Sequence, residues 1–102
     1  MELNRYQALA AIYRRDTAND VYAVLGLSGE VGELHSLIAK SIRDNTEIGT
    51  ERVLFELGDI LWFVAAIADD AGLTLDEIAK TNIVKLDGRA IRGTIGGSGD
   101  DR

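Results

Sequence analysis

The chain has no cysteine, no proline, one histidine and one tryptophan. Without cysteine there is no disulfide framework, no thiolate metal site and no thiol nucleophile. Positive charge is also scarce: 11 Lys and Arg stand against 17 Asp and Glu, a net charge of -6. That balance speaks against a protein that grips duplex nucleic acid by neutralising phosphates. It leaves a nucleotide ligand open, because bound cations reverse the local sign. No apolar stretch reaches the roughly 18–20 residues a membrane span needs. The N-terminus, MELNRYQALAAIYRR, carries an acid at position 2 and lacks the apolar core of a secretory signal. The expectation is a cytoplasmic protein with neither a membrane nor a nucleic-acid partner.

What is present is ordinary for a globular domain: 46% hydrophobic and 27% charged residues in 102. One domain of this length has a modest core that self-association would help. The absence of proline and the 3.6-residue periodicity predict an all-α fold of four helices. The first runs from about Leu3 to Arg15, with Leu3, Tyr6, Leu9, Ala10 and Tyr13 on one face. DTAND follows as a loop, in which Asn19 or Asp20 is placed to cap the second helix.

That second helix covers about Val21 to Arg43, with Leu27, Val31, Leu34, Leu37, Ile38 and Ile42 as its stripe. Gly26, Gly29 and Gly32 each weaken it by about 1 kcal/mol against alanine, which suggests close approach by a neighbour or an irregular start. Asn45 is the expected C-terminal cap. The third helix runs from Thr50 to Ala71, with Gly72 as its stop, and is apolar nearly all round. Such a helix is central in its domain or shared with another subunit. A capping box, Thr74 to Glu77, opens the fourth helix. Its stripe is Leu75, Ile78, Ala79, Asn82, Ile83 and Leu86, fading near Gly88 to Ala90. Residues 1–90 are thus the helical domain, and 91–102 are a Gly-rich tail that either frays or closes over a ligand.

The longest apolar run, VLFELGDILWFVAAIA from Val53 to Ala68, carries Glu56 and Asp59 in its middle. The same spacing recurs upstream as Glu30 and Glu33. Residues three apart lie on one side of a helix, and helices joined by a short loop pack antiparallel at roughly 8–10 Å. The two acid pairs can therefore meet. Carboxylates facing one another repel and resist desolvation unless metal or protons intervene. An all-oxygen ligand set favours Mg²⁺, with Mn²⁺ as a substitute, and Mg²⁺ in such a cluster suggests a phosphorylated substrate. Against this, ExxE on a helix is most often a solvated face. A ferritin-like di-iron site needs Glu-x-x-His, and His35 misses that spacing from both Glu30 and Glu33. Trp62 can stack on a base, but lies about 240° round the helix from Glu56, which favours the core or a subunit interface.

LGLSGEVGEL and ERVLFELGDILWFVAAIADDAGLTLDEIAKTNIVKLDGR resemble the MazG-like, all-alpha nucleoside triphosphate pyrophosphohydrolases. That family's motif is two glutamates three apart, a variable spacer, then Glu-x-x-Asp. Here it reads Glu30, Glu33, a spacer of 22 residues, Glu56 and Asp59. Many members have a further Glu where this chain has Gly29, which leaves four acids instead of five. The closing GTIGGSGDDR resembles the tail of a small single-domain subgroup.

The resemblance implies Mg²⁺-dependent hydrolysis of a nucleoside triphosphate to the monophosphate and pyrophosphate, in nucleotide-pool cleansing, by a dimer or tetramer. It also implies roles for a Lys and an Arg four apart, matched by Lys85 and Arg89, with Asn82 one turn earlier and Arg52 one turn before the second acid pair. Lys85 and Arg89 would meet the β/γ phosphates, and Asn82 a phosphate, sugar or base. One of the acids, Glu30 or Glu33 before the others, would orient the attacking water if it does not hold metal. Related alternatives are a dUTP/dCTP or phosphoribosyl-ATP pyrophosphohydrolase. From another class, the alternative is a non-catalytic helical interaction module whose acids are structural.

Overall fold

The periodicity resolves into α1 (Leu3–Ala11), α2 (Tyr22–Asp44), α3 (Thr50–Asp70) and α4 (Leu75–Arg92). The computed structural model describes residues 1–19 and 21–102, and no strand occurs among them. The fold is all-α, as expected.

The frame is the antiparallel α2–α3 hairpin. Asn45, in the left-handed conformation at φ 52° and ψ 48°, ends α2, and asparagine tolerates that conformation better than most residues. Ala23 packs on Phe63 and Ala66, with Leu27, Trp62 and Ile67 around them. Tyr22 and Trp62 flank the Phe63 ring at centroid distances of 5.9 and 5.0 Å. A Cβ at Gly26 would overlap that ring, so this glycine is what lets α3 approach. Gly29 and Gly32 face open space instead, and close packing explains only the first of the three.

α1 lies across the C-terminal half of α3. It stops at Ala11, four residues short of the expected Arg15. Its last turn tightens into i→i+3 bonds from Ile12, Tyr13 and Arg14. Arg14 then turns onto α3, pairing bidentately with Asp70 at 2.9 and 3.0 Å and donating to the Ala18 carbonyl at 2.7 Å. Tyr13, expected on the inward face, is 79% exposed as a result. The buried face carries Gln7 and Ala10.

Gln7 joins three elements. Its Nε2 donates to Asp69 Oδ1 at 2.6 Å and to the Leu73 carbonyl at 3.0 Å, while its Oε1 accepts from the Leu75 N–H at 2.7 Å. Asn4 accepts from the Asp76 N–H, and Thr74 from the Glu77 N–H within the expected capping box. The first three N–H groups of α4, orphaned in any helix, are thus all satisfied, two of them by α1.

At the start of α2, Asn19 donates to the Asp16 carbonyl and the helix begins after Val21 without a side-chain cap. Asp20, the other expected cap, lies outside the described residues. α4 packs against α1 and continues to Arg92, past the expected fade, ending on Gly93 at φ 71°. Of its stripe only Leu75 is buried, while Ile83 and Leu86 are exposed. The N-terminal half of α3 is likewise open, with Leu54 65% and Phe55 61% exposed. The radius of gyration is 16.5 Å, against about 13 Å for a compact chain of this length. No described helix is long and apolar enough to cross a membrane.

Candidate functional site

One turn beyond the Gly26–Phe63 contact, the hairpin brings Glu30 of α2 against Glu56 and Asp59 of α3. Carboxylate oxygens of the three lie within 4.8 Å of one another. The register explains this: α2 and α3 run oppositely, so moving one turn forward from Gly26 meets the residue one turn back from Phe63. Glu30 is half-buried, the Glu56 side chain is 13% exposed, and Asp59 opens to solvent.

Burial pushes the Glu30 carboxyl above the usual carboxylate range, and the charges of Asp59, Glu56 and Glu33 push it further. Arg52, one turn before Glu56 and itself exposed, approaches Glu56 at 3.8 Å. A cluster of hard oxygen donors with surplus negative charge suits a divalent cation such as Mg²⁺ or Mn²⁺. Glu33 stays outside the trio and is exposed. Its field nonetheless reaches Glu30. Tyr6, brought in by α1, has its phenol pushed up by burial and by the charge of Asp59. Nothing in the local sequence signals that approach.

Asn82, Lys85 and Arg89 follow one another along α4. Asn82 and Lys85 line an open groove with Leu73, Glu77, Ile78 and Thr81. Arg89 is only 5% exposed. Lys85 Nζ and Arg89 Nη2 both contact Asp100 Oδ1, at 3.2 and 3.1 Å. Among the described residues Lys85 and Arg89 pair with Asp100, and neither makes an ion pair with Glu30, Glu56 or Asp59. Trp62 donates Nε1 to the Ala10 carbonyl at 3.1 Å and meets Phe63 edge-on, which ties α1 to α3. Its ring edge still lines a shallow hollow with Tyr13, Thr17 and Tyr22.

Residues 22–92, from the start of α2 to the end of α4, match the MazG nucleotide pyrophosphohydrolase domain. This chain belongs to the MazG family. The matched span holds Glu30, Glu33, Glu56, Asp59, Lys85 and Arg89, while α1 precedes it and Asp100 follows it. The chain is also 38% identical, over 85 residues, to "Gene 37 protein" of Mycobacterium phage L5, covering 79% of this chain and 75% of that protein. No solved structure matches. As a MazG domain, the α2–α3 hairpin with its carboxylate trio is the natural place to look for nucleotide pyrophosphohydrolase chemistry.

Proposed function

We propose that this MazG-family protein hydrolyses nucleoside triphosphates, NTP or dNTP, to the monophosphate and pyrophosphate in a Mg²⁺-dependent reaction. The observation that carries the reading is the convergence of Glu30, Glu56 and Asp59 inside the span that matches the family. Those three carboxylates would hold the cation, which when bound neutralises charge on the phosphate oxygens and lowers the pKa of a coordinated water. Glu33, close by but outside the trio, is free to orient the attacking water and take its proton. Arg52, exposed and 3.8 Å from Glu56, offsets part of the negative charge there.

Lys85 and Arg89 would receive the departing pyrophosphate, the lysine as a point charge and the arginine through its planar fork. Asn82, on the same groove, would bond the sugar, base or a phosphate. Assembly is part of this reading. The exposed Leu54, Phe55, Ile38 and Ile42 on α3 and α2 form apolar surface that a second copy would cover, and a homo-oligomer can bring α4 of one chain to the acid trio of another. Trp62, held by Ala10, acts mainly as scaffold.

The test is a screen of each NTP and dNTP with Mg²⁺, assayed for pyrophosphate, beside Glu56→Gln. Release with the wild type and none with the variant, at unchanged secondary structure, is the expected result. No release with any nucleotide, together with a melting temperature indifferent to Mg²⁺, would leave a non-catalytic helical module as the better description.

A further inference from the structure

The tail beyond α4 doubles back on itself. Gly93, Gly97 and Gly99 take positive φ of 71°, 93° and 87°, a conformation open to glycine at little cost. Arg102 then gathers the loop from inside. Its Nε donates to the Thr94 and Gly96 carbonyls at 3.0 and 2.9 Å, its Nη2 to Ile95 at 3.1 Å, and its Nη1 to Gly99. Arg92 Nη2 donates to the Arg102 carbonyl oxygen at 2.6 Å. The closed loop presents Asp100 to Lys85 and Arg89, which share one carboxylate oxygen, and Arg89 Nη2 also donates to the Gly99 carbonyl at 3.2 Å.

That pairing is incomplete. The Asp100 side chain is 85% exposed while that of Arg89 is 6% exposed. Arg89 Nε is buried with no partner, and so is Thr94 Oγ1, at the root of the loop where the Thr94 N–H bonds the Arg89 carbonyl. Nε and Nη2 form the edge of a guanidinium that grips two oxygens of one oxyanion. Asp100 engages only half of that edge, and an orphaned buried donor is unfavourable by roughly 1–3 kcal/mol in general. A phosphoryl group, with three oxygens, can satisfy both nitrogens and Lys85 together. Arg89 is only 5% exposed, and the polar contacts of its Nη2 are to the tail, at Gly99 and Asp100.

We propose that the Gly-rich tail is a displaceable internal anion: Asp100 occupies the Lys85–Arg89 pair until the pyrophosphate end of a nucleotide takes its place and releases the loop. This rests on the assignment of Lys85 and Arg89 to the triphosphate. The lowered carboxyl pKa of Asp100, caused by its bonds to Lys85 and Arg89, agrees with an occupied anion position.

The test titrates inorganic pyrophosphate by calorimetry, with chelator present so that the acid trio plays no part. The proteins are the full-length wild type, Asp100→Asn, Asp101→Asn as the charge-matched control, Lys85→Ala, and Asp100→Asn with Lys85→Ala. Removing a competing exposed carboxylate should tighten binding about two- to fivefold in Asp100→Asn but not in Asp101→Asn, and the gain should vanish when Lys85 is also removed. Hydrogen exchange of residues 93–102 should speed up when pyrophosphate binds. Weaker or unchanged binding by Asp100→Asn, or slower exchange in the tail, overturns the displacement model even if Lys85→Ala weakens binding. If Lys85→Ala binds as well as wild type, or no protein binds pyrophosphate, the assignment of the cations fails and the model with it.

Discussion

Replacing Glu30 with glutamine should stabilise the metal-free protein and remove its stabilisation by Mg²⁺. Glu30 faces Glu56 and Asp59 with oxygens within 4.8 Å. Two unit charges at that separation repel by about 1 kcal/mol in water and about 3 kcal/mol at an effective dielectric of 20. Asp59 is open to solvent, and screening keeps the net effect near the lower figure. A glutamine removes the repulsion and offers N–H donors to the two remaining carboxylates. For a domain of this size, about 1 kcal/mol is about 4–8 °C in melting temperature.

The pH dependence has a defined sign. Because the Glu30 carboxyl is raised by burial and by its acidic neighbours, the folded chain holds that proton more tightly than the unfolded chain. Wild-type stability without metal therefore falls as pH rises from the ordinary carboxylate value through the raised one, then levels off. The advantage of Glu30→Gln should appear over the same window and be absent below it. Mg²⁺ at a hundredfold its dissociation constant would add about 2.7 kcal/mol to the wild type and little to the variant. Melting curves from acidic to neutral pH, in chelator and in Mg²⁺, measure both effects. A variant no more stable than wild type in chelator at neutral pH, or one that Mg²⁺ stabilises equally, would refute the repulsive cluster.

Gly26→Ala should destabilise by about 1–3 kcal/mol in chemical denaturation, because its methyl meets the Phe63 ring. Gly29→Ala, into open space, should stabilise by about 0.5–1 kcal/mol, and the two variants moving in the same direction would contradict the packing. Trp62→Phe loses the bond to the Ala10 carbonyl and should lower stability by about 1 kcal/mol. Its KM for nucleotide should stay within twofold, and a large rise would return Trp62 to the substrate.

The acid trio was legible because helical spacing and a short loop are strong local constraints. Glu30, Glu56 and Asp59 sit where antiparallel packing of two amphipathic helices must put them. Glu33 stands to Glu30 as Asp59 stands to Glu56, yet it is exposed and outside the trio, and spacing alone does not separate it from the others. Gly26 could not be told from Gly29 and Gly32 before the position of Phe63 was known. The end of α1 is not legible in the sequence because Arg14 leaves the helix for Asp70, a partner 56 residues away. The burial of Arg89 was equally hidden, since it depends on a tail that reads as a solvated Gly-rich end until Arg102 is seen holding it. Long-range polar contacts leave no periodic trace.

The support that α1 gives to α4 couples the two ends of the chain. The α2–α3 hairpin is joined by a short loop, so its helices meet across a shorter stretch of chain than α1 and α4 do. The Leu75 and Asp76 amides, in contrast, find their acceptors 68 and 72 residues away, on Gln7 and Asn4. The first turn of α4 is complete only once α1 has docked. Disturbing α1 should therefore loosen the start of α4 as well, since the two terminal helices support each other in the folded chain.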